Sequence, residues 1–192
     1  MANIWQRIGD ELPRTHNPVT RVIGRLAFRI MGWRIEGELP NRSKFVVALT
    51  PHTSNMDFIL TVAFLWGSGL KASFLMKHSL FWFPLGSLLR RLGGIPVDRS
   101  APQGLVERMA EEFQARKRLV LGITPEGTRS GVRRWKEGFA RIAAAADVPV
   151  LPAVLNYRTK TVVLAPLVAG AQTAEAILTA VQAVSQQGVP RH

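Results

Sequence analysis

Cysteine is absent from the chain, which excludes a disulfide framework, a thiolate zinc site and a cysteine nucleophile, and leaves the redox compartment open. Acidic side chains are scarce: 13 Asp and Glu stand against 25 Lys and Arg, a formal net charge of +12. Such a balance calls for an anionic counterpart, which can be a polyanion, an anionic lipid surface or an acidic protein, and charge alone does not choose among them. Long hydrophobic runs are missing too. The longest uncharged apolar stretch covers residues 58–70, short of the about 20 residues a helix needs to cross a bilayer core. At the N-terminus, Asp10 and Glu11 follow Met1-Ala2-Asn3-Ile4-Trp5, with no basic head, apolar core and small-residue cleavage site in sequence. No secretion signal is expected, and a membrane would be met from its surface. Repeats, low-complexity tracts and flexible linkers are also lacking, and residues 186–192 read as a frayed polar tail.

What is present is a folding composition. Apolar residues make up 47% of the 192 and charged residues 20%, far from the low hydrophobicity of disordered chains. The length suits one domain with a substantial core, so residues 1–192 are read as a single unit. Within it, residues 1–35 form an amphipathic region, residues 45–170 an α/β core, and residues 171–192 a closing helix and tail.

Between residues 19 and 31 the apolar positions Val19, Val22, Ile23, Leu26, Ala27, Ile30 and Met31 recur at helical spacing, with Arg21, Arg25 and Arg29 on a neighbouring flank. A basic amphipathic helix of this kind either lies in lipid headgroups or packs on its own domain. Residues 45–49, Phe-Val-Val-Ala-Leu, read as a buried strand. Further strands are expected at residues 72–76, 95–97, 119–123, 149–154 and 161–164. Helices are expected at residues 102–118, opened by Ser100 and Gln103 at capping-box spacing, and at 138–146 and 174–185. The alternation implies an α/β layer fold with a mostly parallel sheet flanked by helices.

Two polar runs follow strands, at the place where α/β folds hold their ligands. The first is His52-Thr53-Ser54-Asn55-Met56-Asp57. Acylating an alcohol requires the hydroxyl proton to leave as the oxygen attacks, and a neutral histidine is suited to take it. A carboxylate on the other ring nitrogen holds the tautomer and stabilises the imidazolium. By itself, such a pair is more often the mark of a capped loop with a satisfied polar pair. The second run is Thr124-Pro125-Glu126-Gly127-Thr128-Arg129-Ser130, followed by Arg133, Arg134 and Lys136. Arg129 offers a rigid fork for phosphate or carboxylate, Gly127 permits close backbone approach, and Thr128 can donate a hydrogen bond. The spacing is not that of a phosphate-binding P-loop. In a parallel sheet the two runs open on one edge and can share a cleft.

Taken with Gly93-Gly94-Ile95-Pro96-Val97-Asp98-Arg99 and Val148-Pro149-Val150-Leu151-Pro152, the two runs resemble, in order and spacing, the four motifs of the glycerophospholipid acyltransferase superfamily, that of the lysophosphatidic acid acyltransferases. The resemblance covers residues 45–154. It implies His52 as general base and Asp57 as its partner, with Glu126, Gly127, Thr128 and Arg129 binding the acceptor, Arg129 at a phosphate. It implies acyl-CoA or acyl carrier protein as donor, a lysophospholipid such as 1-acyl-glycerol-3-phosphate as acceptor, and no covalent acyl-enzyme. No cofactor and no metal is expected beyond these substrates. Lys77, in a segment similar to the family's lysine-bearing one, is a candidate for the thioester oxyanion. Arg99 is a candidate substrate contact, or the partner of Asp98 or another nearby acid.

Residues 79–89 include Phe81, Trp82 and Phe83 and end at Arg90 and Arg91. Three adjacent aromatics cannot all face inward from a simple helix, so some are expected at a lipid boundary or an acyl groove. With residues 19–31 they form the candidate docking surface, and a cytoplasmic, peripheral location on the inner face of an anionic membrane is expected. Many relatives carry a long hydrophobic hairpin or transmembrane anchor that is not seen before Val19. The neighbours of His52, namely Pro51, Thr53, Ser54 and Asn55, resemble a bacterial subgroup whose acceptors extend beyond glycerol phosphates, so an amino-acid lipid or a sugar is the alternative acceptor. A basic nucleic-acid-binding module is the remaining alternative. It has only the net charge behind it, since the arginines are scattered and no such motif is present.

Overall fold

A computed structural model describes residues 5, 8–52, 54–98, 104–126, 135–170, 172–186 and 188–190. Its centre is a seven-stranded sheet built from β1 (Arg34–Gly37), β2 (Lys44–Thr50), β3 (Ala72–Lys77), β4 (Gly94–Val97), β5 (Leu119–Ile123), β6 (Val150–Asn156) and β7 (Thr161–Leu164), in the order β1-β7-β6-β2-β5-β3-β4. Neighbours are parallel throughout except β6 and β7, which pair antiparallel. β2 lies between β5 and β6, with Ala48 opposite Ile123 on one side and Thr50 opposite Val154 on the other. Its run of Phe45, Val46 and Ala48, all fully buried, is the near-continuous apolar sequence of a parallel strand covered on both faces.

Helices cover the two faces. On one, α1 (Pro18–Ile30) and α2 (Asn55–Ser68) pack Phe28, Leu60 and Ala63 over Phe45, Val120, Leu151 and Leu155. On the other, α4 (Leu105–Ala115), α5 (Gly138–Ala146) and α6 (Ala174–Ser185) set Phe113, Phe139, Ile142 and Ile177 over Val46, Leu121 and Val150. Each fully buried side chain of this size contributes about 1.5–3 kcal/mol. A short 3-10 turn at His78–Leu80 and α3 (Leu85–Arg91) lie between β3 and β4. Among the described residues no helix is long and apolar enough to cross a membrane.

Several elements differ from the sequence expectation for identifiable reasons. α2 was hidden because residues 58–70 are apolar on every side and so show no helical period. Its ends are nevertheless marked, by Ser54 and Asp57 in a capping box and by Gly69 in the left-handed conformation at φ 69°. β1, Arg-Ile-Glu-Gly, is an exposed edge strand without an apolar run. α4 begins at Leu105 rather than at 102, and Ser100 and Gln103 lie outside the described residues. Residues 188–190, expected in a frayed tail, instead pair with β6. The Val189 N–H donates to the Leu155 carbonyl at 3.1 Å, and the Tyr157 N–H donates to the Val189 carbonyl at 3.0 Å, which ties residues 188–190 to the end of β6.

α1 packs by a narrow strip. A Cβ placed on Gly24 would lie 2.3 Å from the Gly67 nitrogen and 2.6 Å from the Ala63 carbonyl oxygen, so glycine alone permits this crossing of α1 over α2. The apolar stripe of α1 faces away from the domain, with Val22 65% and Ile30 75% exposed and Val19, Ile23 and Leu26 exposed beside them. Two of the flanking arginines turn inward: Arg25 Nε donates to the Gly67 carbonyl at 2.9 Å and Arg21 donates to the Thr15 carbonyl at 3.2 Å.

Candidate active site

β2 delivers the chain to the carboxyl edge of the sheet at Thr50, and the four residues before α2 turn it into the first polar run. Ser54 caps α2, its hydroxyl oxygen accepting the Met56 N–H at 3.1 Å. Asp57, the third residue of the helix, accepts the Ser54 N–H at 2.7 Å on Oδ2 and the Ser54 hydroxyl at 3.3 Å on Oδ1. The same Oδ2 lies 3.4 Å from Nδ1 of His52. The reading as a capped loop and the reading as a base with its carboxylate therefore describe one arrangement. The helix cap fixes the aspartate, and the aspartate meets the histidine.

Asp57 is fully buried, and a carboxylate in that position requires strong partners. The first turn of α2 supplies the positive end of a helix dipole. Tyr157, the residue after β6, donates its hydroxyl to Oδ1 of Asp57. Its ring meets Trp33 edge-on, with centroids 4.9 Å apart and planes at 86°. No motif pointed to Tyr157. The signals that could have done so are its being the single tyrosine in the chain and its place just beyond a strand expected in the same sheet as residues 45–49.

The second run starts one strand away. After β5, Glu126 accepts the Thr50 hydroxyl at 2.7 Å on Oε1 and the His52 backbone N–H at 3.0 Å on Oε2. The parallel pairing of β2 and β5 brings these loops together, as the sequence implies. The carboxylate, expected at the acceptor, holds the end of β2 and the backbone of the histidine. Gly127, Thr128 and Arg129 lie outside the described residues, as do Arg99, Arg133 and Arg134. Lys77 is exposed at the carboxyl end of β3, opposite Val97 of β4, on the same edge of the sheet as His52. Beside it, His78 Nδ1 lies 3.9 Å from Asp98 Oδ1, both side chains about half exposed.

The segment with three aromatics divides as expected. Phe81 is half-buried, with the Arg90 guanidinium 5.1 Å from its ring centroid. Trp82 is 61% and Phe83 86% exposed. On α2, Phe58 and Ile59, directly after Asp57, are exposed too, so apolar surface continues to the rim of the site.

The arrangement is a histidine backed by a buried carboxylate, at the carboxyl edge of a parallel sheet, with a second carboxylate fixing its loop. It can accept a proton from a hydroxyl and hold the resulting charge. Comparison with known proteins places it. A family model described as acyltransferase matches residues 33–156. Among curated proteins nothing matches. Among solved structures, the 1-acyl-sn-glycerophosphate (LPA) acyltransferase PlsC from Thermotoga maritima is similar, with a TM-score of 0.65 and 19% identity over 88% of this chain and 76% of that one. At that identity the likeness establishes the fold, and the family match covers all the described site residues except Tyr157. The chain is an enzyme that belongs to the acyltransferase family.

Proposed function

We propose that this acyltransferase moves a fatty-acyl group from a thioester, acyl-CoA or acyl carrier protein, to the free hydroxyl of a lysophospholipid, 1-acyl-glycerol-3-phosphate being the first candidate. The observation that carries the reading is the contact of His52 Nδ1 with the buried carboxylate of Asp57 at 3.4 Å, at the sheet edge where the second motif also opens. His52 Nε2 takes the acceptor proton as the oxygen attacks the thioester carbonyl. Asp57 stabilises the imidazolium that results. The tetrahedral intermediate then expels the thiolate, which takes the proton from His52, so that a C–O bond replaces the C–S bond and free thiol leaves.

The run 127–129 supplies the acceptor's phosphate site in this reading, with Arg129 as its fork. Lys77 stands on the correct edge to meet the thioester oxyanion or an acidic donor, and Arg99 serves as a further substrate contact. The likeness to a 1-acyl-sn-glycerophosphate acyltransferase supports the choice of acceptor. The residues around His52 favour a second reading, in which the acceptor is an amino-acid lipid or a sugar.

The enzyme reaches its acceptor from the inner surface of an anionic membrane in this account. The exposed stripe of α1, with Trp82 and Phe83, is the docking surface, and the positive net charge supports anionic lipid. The purified protein, given acyl-CoA or acylated carrier protein with a panel of lysophospholipids, amino-acid lipids and sugars, should acylate a lysophospholipid best. Acylation of none of the lysophospholipids refutes the first reading. Transfer to another class instead establishes the second.

A further inference from the structure

We infer that Tyr157 is a positioning residue of the reaction, whose hydroxyl fixes the Asp57 carboxylate and through it the His52 ring. The inference rests on the reading of His52 as the base and adds to it a residue that lies beyond the four motifs.

The two carboxylate oxygens of Asp57 carry different loads. Oδ2 receives the Ser54 N–H at 2.7 Å and stands 3.4 Å from His52 Nδ1. Oδ1 receives the Tyr157 hydroxyl and, at the longer distance of 3.3 Å, that of Ser54. The Tyr157 hydroxyl comes from outside the helix cap, whereas the Ser54 bond to Oδ1 is local to it. Loss of that outside bond lets the carboxyl group rotate more about its own axis, and the rotation moves Oδ2 out of line with the imidazole. The two Ser54 contacts come from one residue at one side of the group, so they oppose that rotation weakly.

Tyr157 is held as a group with such a task must be. Its ring is fixed edge-on by Trp33, which is itself buried, and its backbone N–H is tied to Val189. It approaches from the end of β6, the strand paired with β2, whereas Asp57 approaches from α2. The carboxylate is thus braced from two elements. Packing alone would be met by phenylalanine, whereas a part-buried tyrosine hydroxyl also gains a partner. Here that partner is the anion behind the base.

Tyr157→Phe tests this, since the ring and its contact with Trp33 stay. Two readouts distinguish positioning from simple packing. In steady-state acylation kcat falls about tenfold with both Michaelis constants unchanged. In 1H–15N NMR spectra, which need no substrate, the titration midpoint of the His52 ring moves to lower pH, because a carboxylate turned out of line stabilises the imidazolium less. Among the described residues, Asp57 on α2 and Glu126 after β5 are the carboxylates shown against His52, and Tyr157→Phe removes a bond from the first alone. A His52 midpoint and kcat equal to those of the wild type overturn the inference, as does a change confined to a Michaelis constant or to the melting temperature. His52→Ala is measured in parallel. If it stays active, the reading of His52 as base has failed. If it is inactive while Tyr157→Phe behaves as wild type, the inference about Tyr157 alone has failed.

Discussion

The carboxylate of Glu126 accepts the backbone N–H of His52 at 3.0 Å across 74 residues of chain, and its other oxygen holds the hydroxyl of Thr50 at 2.7 Å. The second motif is thereby bound to the first through the main chain of the proposed base. Loss of either motif's geometry disturbs the other.

Glu126→Gln therefore acts on structure and rate together. The amide keeps one acceptor oxygen and turns an N–H₂ toward a donor, which removes one bond and adds a repulsive contact. About 1–3 kcal/mol of stability is lost for a part-buried donor left without its acceptor, and kcat falls as the His52 loop loosens. Thermal unfolding and steady-state kinetics check both. A rise in the acceptor Michaelis constant at unchanged melting temperature would assign Glu126 to substrate alone.

Leu26→Glu places a charge in the middle of the exposed stripe of α1, where the side chain touches little of its own domain. The melting temperature should stay within a degree or so, and co-sedimentation with vesicles containing anionic lipid should fall at least severalfold. Equal binding by the variant would move the docking surface away from α1.

Gly24→Leu tests the crossing that leaves this stripe outside. A side chain here meets the backbone of Gly67 and Ala63, and those atoms cannot yield as a flexible side-chain tip could. The helices must separate, with destabilisation of about 1–3 kcal/mol, the range of overpacked cores. Denaturant unfolding measures it, and an unchanged midpoint would show that α1 is free to shift.

Much of this was legible in the sequence because the relevant signals are local. Residues 119–123, 138–146, 161–164 and 174–185 carry patterns of one period, and these elements have those bounds. α2 and β1 escaped because an all-round apolar helix and a polar edge strand have no period to read. At the site, His52 and Asp57 could be paired from one turn of chain. That Glu126 binds the backbone of His52, and that Tyr157 completes Asp57, depend on strand order, which brings β5 and β6 to either side of β2. Nothing in the spacing of residues 52, 126 and 157 states that order.

His52 as the base of an acyl transfer is directly testable. The direct measurement is acyl-lipid formation and thiol release, from one thioester donor and the best lysophospholipid acceptor, by the wild type and by His52→Ala of matched circular dichroism and melting temperature. In the folded variant kcat falls about a hundredfold or more, with product and thiol lost together. A folded His52→Ala enzyme that acylates at close to the wild-type rate would contradict it.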